Sequence, residues 1–463
     1  MNKITLKNFR CFREEQTTRL APLTLLVGEN STGKTSFMAM LRALWDIAYR
    51  NQIPDFKEEP YDLGSFDEIA HYRGGKGGRA DTFQAAFTST SENIARSNKK
   101  QRRGSKHKFK LYNFEIEFEK RGTAPYLRRK RLAGDDTWIE YNAGKEEKYQ
   151  IKFGTPNGIW GFQNRNDQSR SMDAGRHMYL PFIYLLFELQ PYIEDRKKDY
   201  KLVPLQGREQ PCIEDLELIE LLVETDIEDF PGDETQPYAS APVRSKPHRT
   251  YDPARPVQDP EGDYIPMYLA NTYFQDPKQW KELKMALEKF GRTAGLFDEL
   301  SIKRLGNKDS EPFQVQVRKF GKTAKGPRRN LIDVGYGISQ VLPVVTELLR
   351  HNRSKMFLLQ QPEVHLHPSA QAALGTLFCQ LANPNRQLIV ETHSDHLLDR
   401  VRMDVRDGST PLKPDDVSIL FFERGMLDVT IHSLRLDQQG NILNTPPGYR
   451  SFFMEETRRS LGY

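Results

Sequence analysis

Apolar side chains alternate at Ile4 and Leu6, recur at Phe9, and then run almost without break from Leu23 to Val27. This pattern predicts an antiparallel edge followed by a buried parallel strand. Beyond a Gly-rich turn, Phe37, Leu41, Leu44 and Ala48 recur at helical spacing, so the segment reads strand, loop, helix. The Gly cluster in LGSFDEIAHYRGGKGGR predicts a loop, and TFQAAF restarts a strand. Alternation at Tyr112, Phe114, Ile116 and Phe118 predicts another strand, which leaves a hairpin tip or loop after Phe87.

Between His177 and Leu222 the apolar density predicts two or three helices broken at Pro191 and Pro204. Residues 231–266, dense in Pro, Gly and Asp, predict a long irregular segment. Order returns with the amphipathic WKELKMALEKFGRTAGLF, predicted helical, and the alternating strand FQVQVRKF. Short apolar strands then end at MFLLQQ and at Leu388–Val390. No heptad array and no fixed-period repeat occurs, which excludes a long coiled-coil arm.

Composition bounds the class. At about 150 residues per domain, 463 residues give a prior near three domains. Hydrophobic residues at 37%, charged residues at 28% and a mean hydropathy of -0.69 describe a polar globular chain. With no long apolar run and no signal-like start, the expectation is a cytoplasmic protein without a membrane span. Cys11, Cys212 and Cys379 are too scattered for a disulfide framework or a cysteine-paired zinc site.

The net charge of +5 says little, but its distribution is uneven. From Arg96 to Arg131 there are 14 Lys or Arg and three acids, whereas Glu214–Glu234 holds ten acids and no Lys or Arg. Such blocks fit a basic surface for phosphate backbones and an acidic surface for a basic partner, or equally a solvated loop and an outward-facing acidic helix. Nucleic acid is therefore a candidate partner.

Gly28-Glu29-Asn30-Ser31-Thr32-Gly33-Lys34-Thr35 fits GxxxxGK[ST] and lies between the predicted strand and helix. Such a loop turns backbone N–H groups toward phosphate oxygens, sends Lys34 to the β and γ phosphates, and offers the Thr35 hydroxyl to Mg²⁺. Two further strand ends carry polar residues: Gln360, Gln361 and Glu363 in MFLLQQPEVHLHP, and Glu391 and His393 in LIVETHSDHLLD. Polar residues at several strand ends can meet at the carboxyl edge of one parallel sheet.

The phosphate loop, QPEVHLHP, ETHSD and the preceding NLIDVGYGISQVLPVV together resemble the ATP-binding-cassette-type heads of the OLD and SMC-like AAA ATPases. The resemblance spans roughly residues 1–90 and 265–435 and implies an α/β P-loop NTPase head, a mixed sheet flanked by helices, split by a largely helical insertion. The implied organisation is 1–90 with the Walker A loop, 91–264 as insertion, and 265–463 with the signature, Walker B-like and switch-histidine segments. It implies that Gly335, Gly337, Ser339 and Gln340 form a degenerate signature facing the γ-phosphate of a second subunit, hence a dimer or multiple of dimers. His393 corresponds to the switch histidine. Arg244, Arg249 and Tyr251 resemble a motif of bacterial members that lack an attached nuclease.

Where cassette ATPases end the Walker B strand in two acids, this chain has Gln360 and Gln361. An amide oxygen can order a Mg²⁺-bound water, but it cannot serve as general base, so catalysis would need Glu363 or Glu391. The expectation is an ATPase, binding ATP and Mg²⁺, with weak or absent hydrolysis. The residues after Asp399 contain no spaced acidic triad, so no TOPRIM nuclease is expected. Stand-alone heads of this kind resemble ATPase subunits of bacterial anti-phage systems such as Septu, which implies a separately encoded nuclease or other effector. The competing class is a repair- or replication-associated SMC/RecF-like ATPase gripping DNA through residues 96–131.

Overall fold

Period-two alternation organises much of the N-terminal half. The computed structural model describes residues 1–49, 54, 56–90, 109–143, 149–164, 200–227, 236–253, 255–308, 311–322, 324–350 and 354–449. The chain divides into two compact units, the first made of residues 1–20, 29–236 and 422–431. Its strands are β1 (Lys3–Lys7), β2 (Gln16–Arg19), β4 (Thr82–Thr90), β5 (Leu111–Arg121), β6 (Ala124–Gly134), β7 (Thr137–Ala143), β8 (Tyr149–Thr155), β9 (Gly158–Asn164) and β10 (Tyr200–Gly207). β3 is the strand Leu23–Gly28 of the second unit. The nine strands form one sheet in the order β10-β9-β8-β7-β6-β5-β4-β1-β2, each neighbour antiparallel.

One face of this sheet is aromatic. Phe83 of β4 lies opposite Phe118 of β5 and stacks on it at 4.9 Å, while Phe56 meets Phe118 edge-on at 5.4 Å. Each such buried ring contributes about 1.5–3 kcal/mol by leaving water. The helices among its described residues are α1 (Lys34–Tyr49), α2 (Phe66–Ile69) and α3 (Ile213–Ile227). The helical spacing foreseen for α1 is realised, with Phe37, Leu41, Leu44 and Ala48 all buried.

The insertion differs from expectation. Instead of a largely helical segment, the described residues between 91 and 264 are mainly the antiparallel strands β5 to β10, with α3 the one substantial helix among them. The physical reason is the alternation that persists through β5, β6 and β7. Pro204, foreseen as a helix breaker, stands in β10 at a register shift. β10 is an edge strand, where a residue without an N–H is tolerated. Residues 165–199, where the first of the expected helices fall, lie outside the described residues, as do residues 91–108 of the basic tract.

The second unit comprises residues 21–28, 237–421 and 432–463. Its helices are α4 (Ile265–Gln275), α5 (Pro277–Thr293), α6 (Tyr336–Leu349), α7 (Pro368–Leu381) and α8 (Asp395–Arg406). A small antiparallel sheet joins β12 (Glu299–Arg304), β13 (Phe313–Arg318) and β14 (Arg329–Asn330). The main sheet runs β11 (Tyr238–Ser240), β15 (Met356–Gln360), β16 (Gln387–Glu391), β3, β17 (Val417–Arg424), β18 (Val429–Leu436) and β19 (Ile442–Leu443). β11, β15, β16 and β3 are parallel. β15 and β16 are buried at every position, which explains why they read as apolar runs rather than alternating strands. α7 is the crossover between them.

Candidate nucleotide-binding site

The phosphate loop leaves β3 at Gly28 and enters α1 at Lys34. Gly28 (φ 139), Ser31 (φ 61) and Gly33 (φ 86) adopt positive φ, the conformations that let successive N–H groups turn inward. A Cβ on Gly33 would collide with Cys11 Sγ and stand 3.0 Å from Phe12 Cζ, so the loop is backed directly by β1's following turn. The Thr32 hydroxyl donates to Glu29 O at 2.8 Å, and Lys34 Nζ donates to the same carbonyl at 2.6 Å. Asn30, Ser31 and Thr35 are exposed, whereas Thr32 and Lys34 are buried. Arg424 Nη2 donates to Ser31 O at 3.1 Å and Asn30 O at 3.4 Å, a loop contact not foreseen from sequence. The start of α1 adds its partial positive charge.

In the second unit, parallel pairing levels the other strand ends. Gln360 pairs with Glu391, and Glu391 with Leu26, two residues before Gly28. The carboxyl edge of β15, β16 and β3 thus gathers Gln360, Glu391 and the origin of the phosphate loop, the usual place for ligands in parallel sheets. Gln361 follows with φ 41, its N–H donating to Glu391 O at 2.9 Å. Gln360 is buried, and its Nε2 has no hydrogen-bond partner among the described residues.

Glu363 accepts the Thr392 hydroxyl and the His393 N–H at one carboxylate oxygen, each at 2.8 Å. Its other oxygen is buried without a hydrogen-bond partner among the described residues. Burial raises its pKa, against the opposing pull of the His393 and Thr392 hydrogen bonds and of nearby Arg244. Glu391 is also buried, while His393 is exposed. The turn is set by Ser394, which caps α8 by accepting from Leu397 N at 3.0 Å.

The signature segment opens α6, with Gly335 as its N-cap. Gly337 packs so closely that a Cβ would stand 2.7 Å from His365 O. Ser339 and Gln340 are each only 5% exposed. Ser339 bonds back to Tyr336 O at 3.0 Å, and Gln340 bonds the main chain of Arg244. What α6 turns outward at this end is Gly335 and Tyr336, the latter 57% exposed. Arg249 pairs with Asp333 on the surface, and Tyr251 is buried against Phe313.

The arginines of β6 lie against glutamates. Arg129 bonds Glu115 at 3.0 Å and Glu140 at 2.8 Å, Arg131 lies 3.5 Å from Glu140, and Arg128 lies 3.4 Å from Glu117. Lys130 is fully buried beside Phe114. Sheet register, not proximity in sequence, sets these acids opposite the bases.

The residues fit nucleotide phosphates: inward-turning glycines, a lysine at the helix start and a helix N-terminus. For Mg²⁺ they offer the Thr35 hydroxyl and two carboxamides rather than carboxylates. Among the described residues no group of three or more His, Cys, Asp or Glu could hold a metal ion on its own.

Two family models match the chain: "AAA ATPase domain" over residues 1–161, and "AAA domain, putative AbiEii toxin, Type IV TA system" over residues 193–399. No curated protein matches the sequence. The solved SMC head domain from Thermotoga maritima is 12% identical, covering 93% of this chain and 98% of that chain, with a TM-score of 0.39. The Smc head domain with an extended coiled coil, bound to the C-terminal domain of ScpA derived from Pyrococcus furiosus, is 10% identical, covers 99% of each chain and has a TM-score of 0.41. Both matching models describe AAA domains, one over the segment that carries the phosphate loop and the other over the segment that carries Gln360 and Glu391. The fold is α/β, with the phosphate loop between a parallel strand and a helix, and no helix among the described residues is long and apolar enough to cross a membrane.

Proposed function

We propose that this chain is a nucleotide-controlled switch that binds ATP with Mg²⁺, hydrolyses it slowly or not at all, and in the bound state regulates a separately encoded nuclease or other effector of a bacterial anti-phage defence complex. The observation that carries this reading is the end of β15: two carboxamides stand at the sheet edge, and the nearby carboxylates Glu363 and Glu391 are buried. A positioned general base contributes about 10²- to 10⁴-fold, so its loss separates a holding device from a motor. The effector is argued from the resemblance to stand-alone heads, and the description "Type IV TA system" of one matching family is in keeping with a two-component arrangement.

In this reading the loop amides and Lys34 would hold the β and γ phosphates, Thr35 would ligate Mg²⁺, and Gln360 and Gln361 would order water bound to it. Mg²⁺, when bound, neutralises phosphate charge. The exposed start of α6, with Gly335 and Tyr336, meets a second copy of the chain, giving a dimer or multiple of dimers. The direct DNA-gripping alternative draws no support from Arg128–Arg131, whose charges are largely spoken for by glutamates. Purification with the products of neighbouring genes, followed by mass measurement with and without ATP–Mg²⁺, tests the proposal. An ATP-dependent change in assembly together with a co-purified effector is expected, and a monomer indifferent to ATP would refute it.

A further inference from the structure

Arg244 follows β11 and is 3% exposed, yet among the described residues its guanidinium hydrogen-bonds main-chain carbonyls rather than a carboxylate. Its Nη2 donates to Gln360 O at 2.8 Å and Gln361 O at 3.3 Å. Its own main chain is clamped by the Gln340 carboxamide: Gln340 Oε1 accepts Arg244 N–H at 3.2 Å, and Gln340 Nε2 donates to Arg244 O at 3.2 Å. One residue therefore joins the second turn of α6 to the turn that ends β15. That turn contains Gln361 at φ 41, a conformation an L-residue adopts at a cost unless its surroundings hold it.

The guanidinium's Nε and Nη1 are buried without hydrogen-bond partners among the described residues. Leaving buried N–H groups unpaired is unfavourable, and an apolar side chain of similar volume often packs at least as well as a buried charge. Packing alone gives no reason for an arginine here. The bonds it does make aim at the strand end that carries the two glutamines.

We propose that Arg244 is a positioning residue that locks the Gln360–Gln361 turn to α6, so that the carboxamides are held in place for the Mg²⁺ of a bound nucleotide. This rests on the ATP–Mg²⁺ reading above. Neighbours that orient the groups around a metal typically change its affinity by about 10- to 100-fold when removed.

The test measures ATP affinity of the full chain in Mg²⁺ and in EDTA, together with melting temperature, for wild type, Arg244→Met, Gln340→Leu and the double variant. Arg244→Met should lose about tenfold or more of the affinity gained from Mg²⁺ while binding ATP in EDTA within about twofold of wild type. Gln340→Leu should act in the same direction, and the double variant should be no worse than the weaker single, because both cut one relay. Equal losses with and without Mg²⁺ accompanied by a lowered melting temperature, additive losses, or no loss would overturn the proposal. Should Arg244→Met not fold, Arg244→Lys replaces it, since an ammonium cannot span both carbonyls as the planar guanidinium does. An intermediate loss supports the proposal, and wild-type behaviour overturns it. A wild type that binds no ATP at all refutes the nucleotide reading instead.

Discussion

Glu363 accepts the main-chain N–H of His393 at 2.8 Å, tying the turn after β15 to the turn after β16. The same oxygen takes the Thr392 hydroxyl, so this carboxylate organises the strand ends. Its geometry is that of a strut between two turns.

Glu363→Gln keeps an oxygen acceptor of the same shape and should leave stability within about 1 kcal/mol of wild type. Glu363→Ala leaves the Thr392 hydroxyl and the His393 N–H without their partner and should cost about 1–3 kcal/mol. Urea unfolding of both variants checks the difference. Equal loss in the two would mean that the charge, rather than the acceptor, matters.

Gly33→Ala forces a Cβ into Cys11 at a φ of 86. The backbone strain alone amounts to about 1–3 kcal/mol, and the loop must shift to relieve the contact. ATP binding should be lost, as it should for Lys34→Ala, where the phosphates lose their principal cation. Calorimetric titration reads both, and unchanged affinity in Lys34→Ala would remove the phosphate-loop assignment.

Glu140 is pushed up by burial, but hydrogen bonds from Asn142 and Arg129 and the charges of Arg129 and Arg131 outweigh this and hold its pKa below the ordinary value. A depressed carboxylate stabilises the fold above its unfolded pKa and loses that contribution as pH falls through the folded value. Glu140→Gln should therefore be less stable than wild type at neutral pH, by about 1 kcal/mol after allowance for solvent screening, with the gap closing as the pH falls below the ordinary glutamate range. Thermal melts across pH decide it, and a gap that widens in acid would contradict the ion-pair account.

Because the described arginines of β6 are already paired, Arg128→Gln and Arg131→Gln should leave any salt dependence of nucleic-acid binding unchanged. Neutralising Lys99 to Lys110 should flatten it only if that tract contacts phosphates. Binding isotherms at several salt concentrations separate the two. A shallower slope in the β6 variants would revive the DNA-gripping reading.

Local spacing made the phosphate loop legible, since strand, glycines, lysine and helix are contiguous from Leu23 to Tyr49. The strand ends at Gln360 and Glu391 were legible for the same reason, as short apolar runs closing on polar residues. The β-rich insertion was not: the apolar density around Pro204 suits helix or strand alike, and only edge placement accommodates the proline. Neither could Arg424 be foreseen, because it reaches Ser31 across 393 positions. The burial of Gln340 against the Arg244 segment is likewise tertiary, for helical spacing alone does not say which face of α6 another loop will cover.

Single-turnover hydrolysis of ATP–Mg²⁺ by wild type, Gln361→Glu, Glu363→Gln and Glu391→Gln tests the switch most directly. Wild type should bind nucleotide yet turn it over about 10²- to 10⁴-fold more slowly than an enzyme with a positioned base, and Gln361→Glu should speed hydrolysis by restoring a carboxylate at the strand end. Brisk wild-type turnover, whether abolished by Glu363→Gln or Glu391→Gln or indifferent to both, would contradict the account.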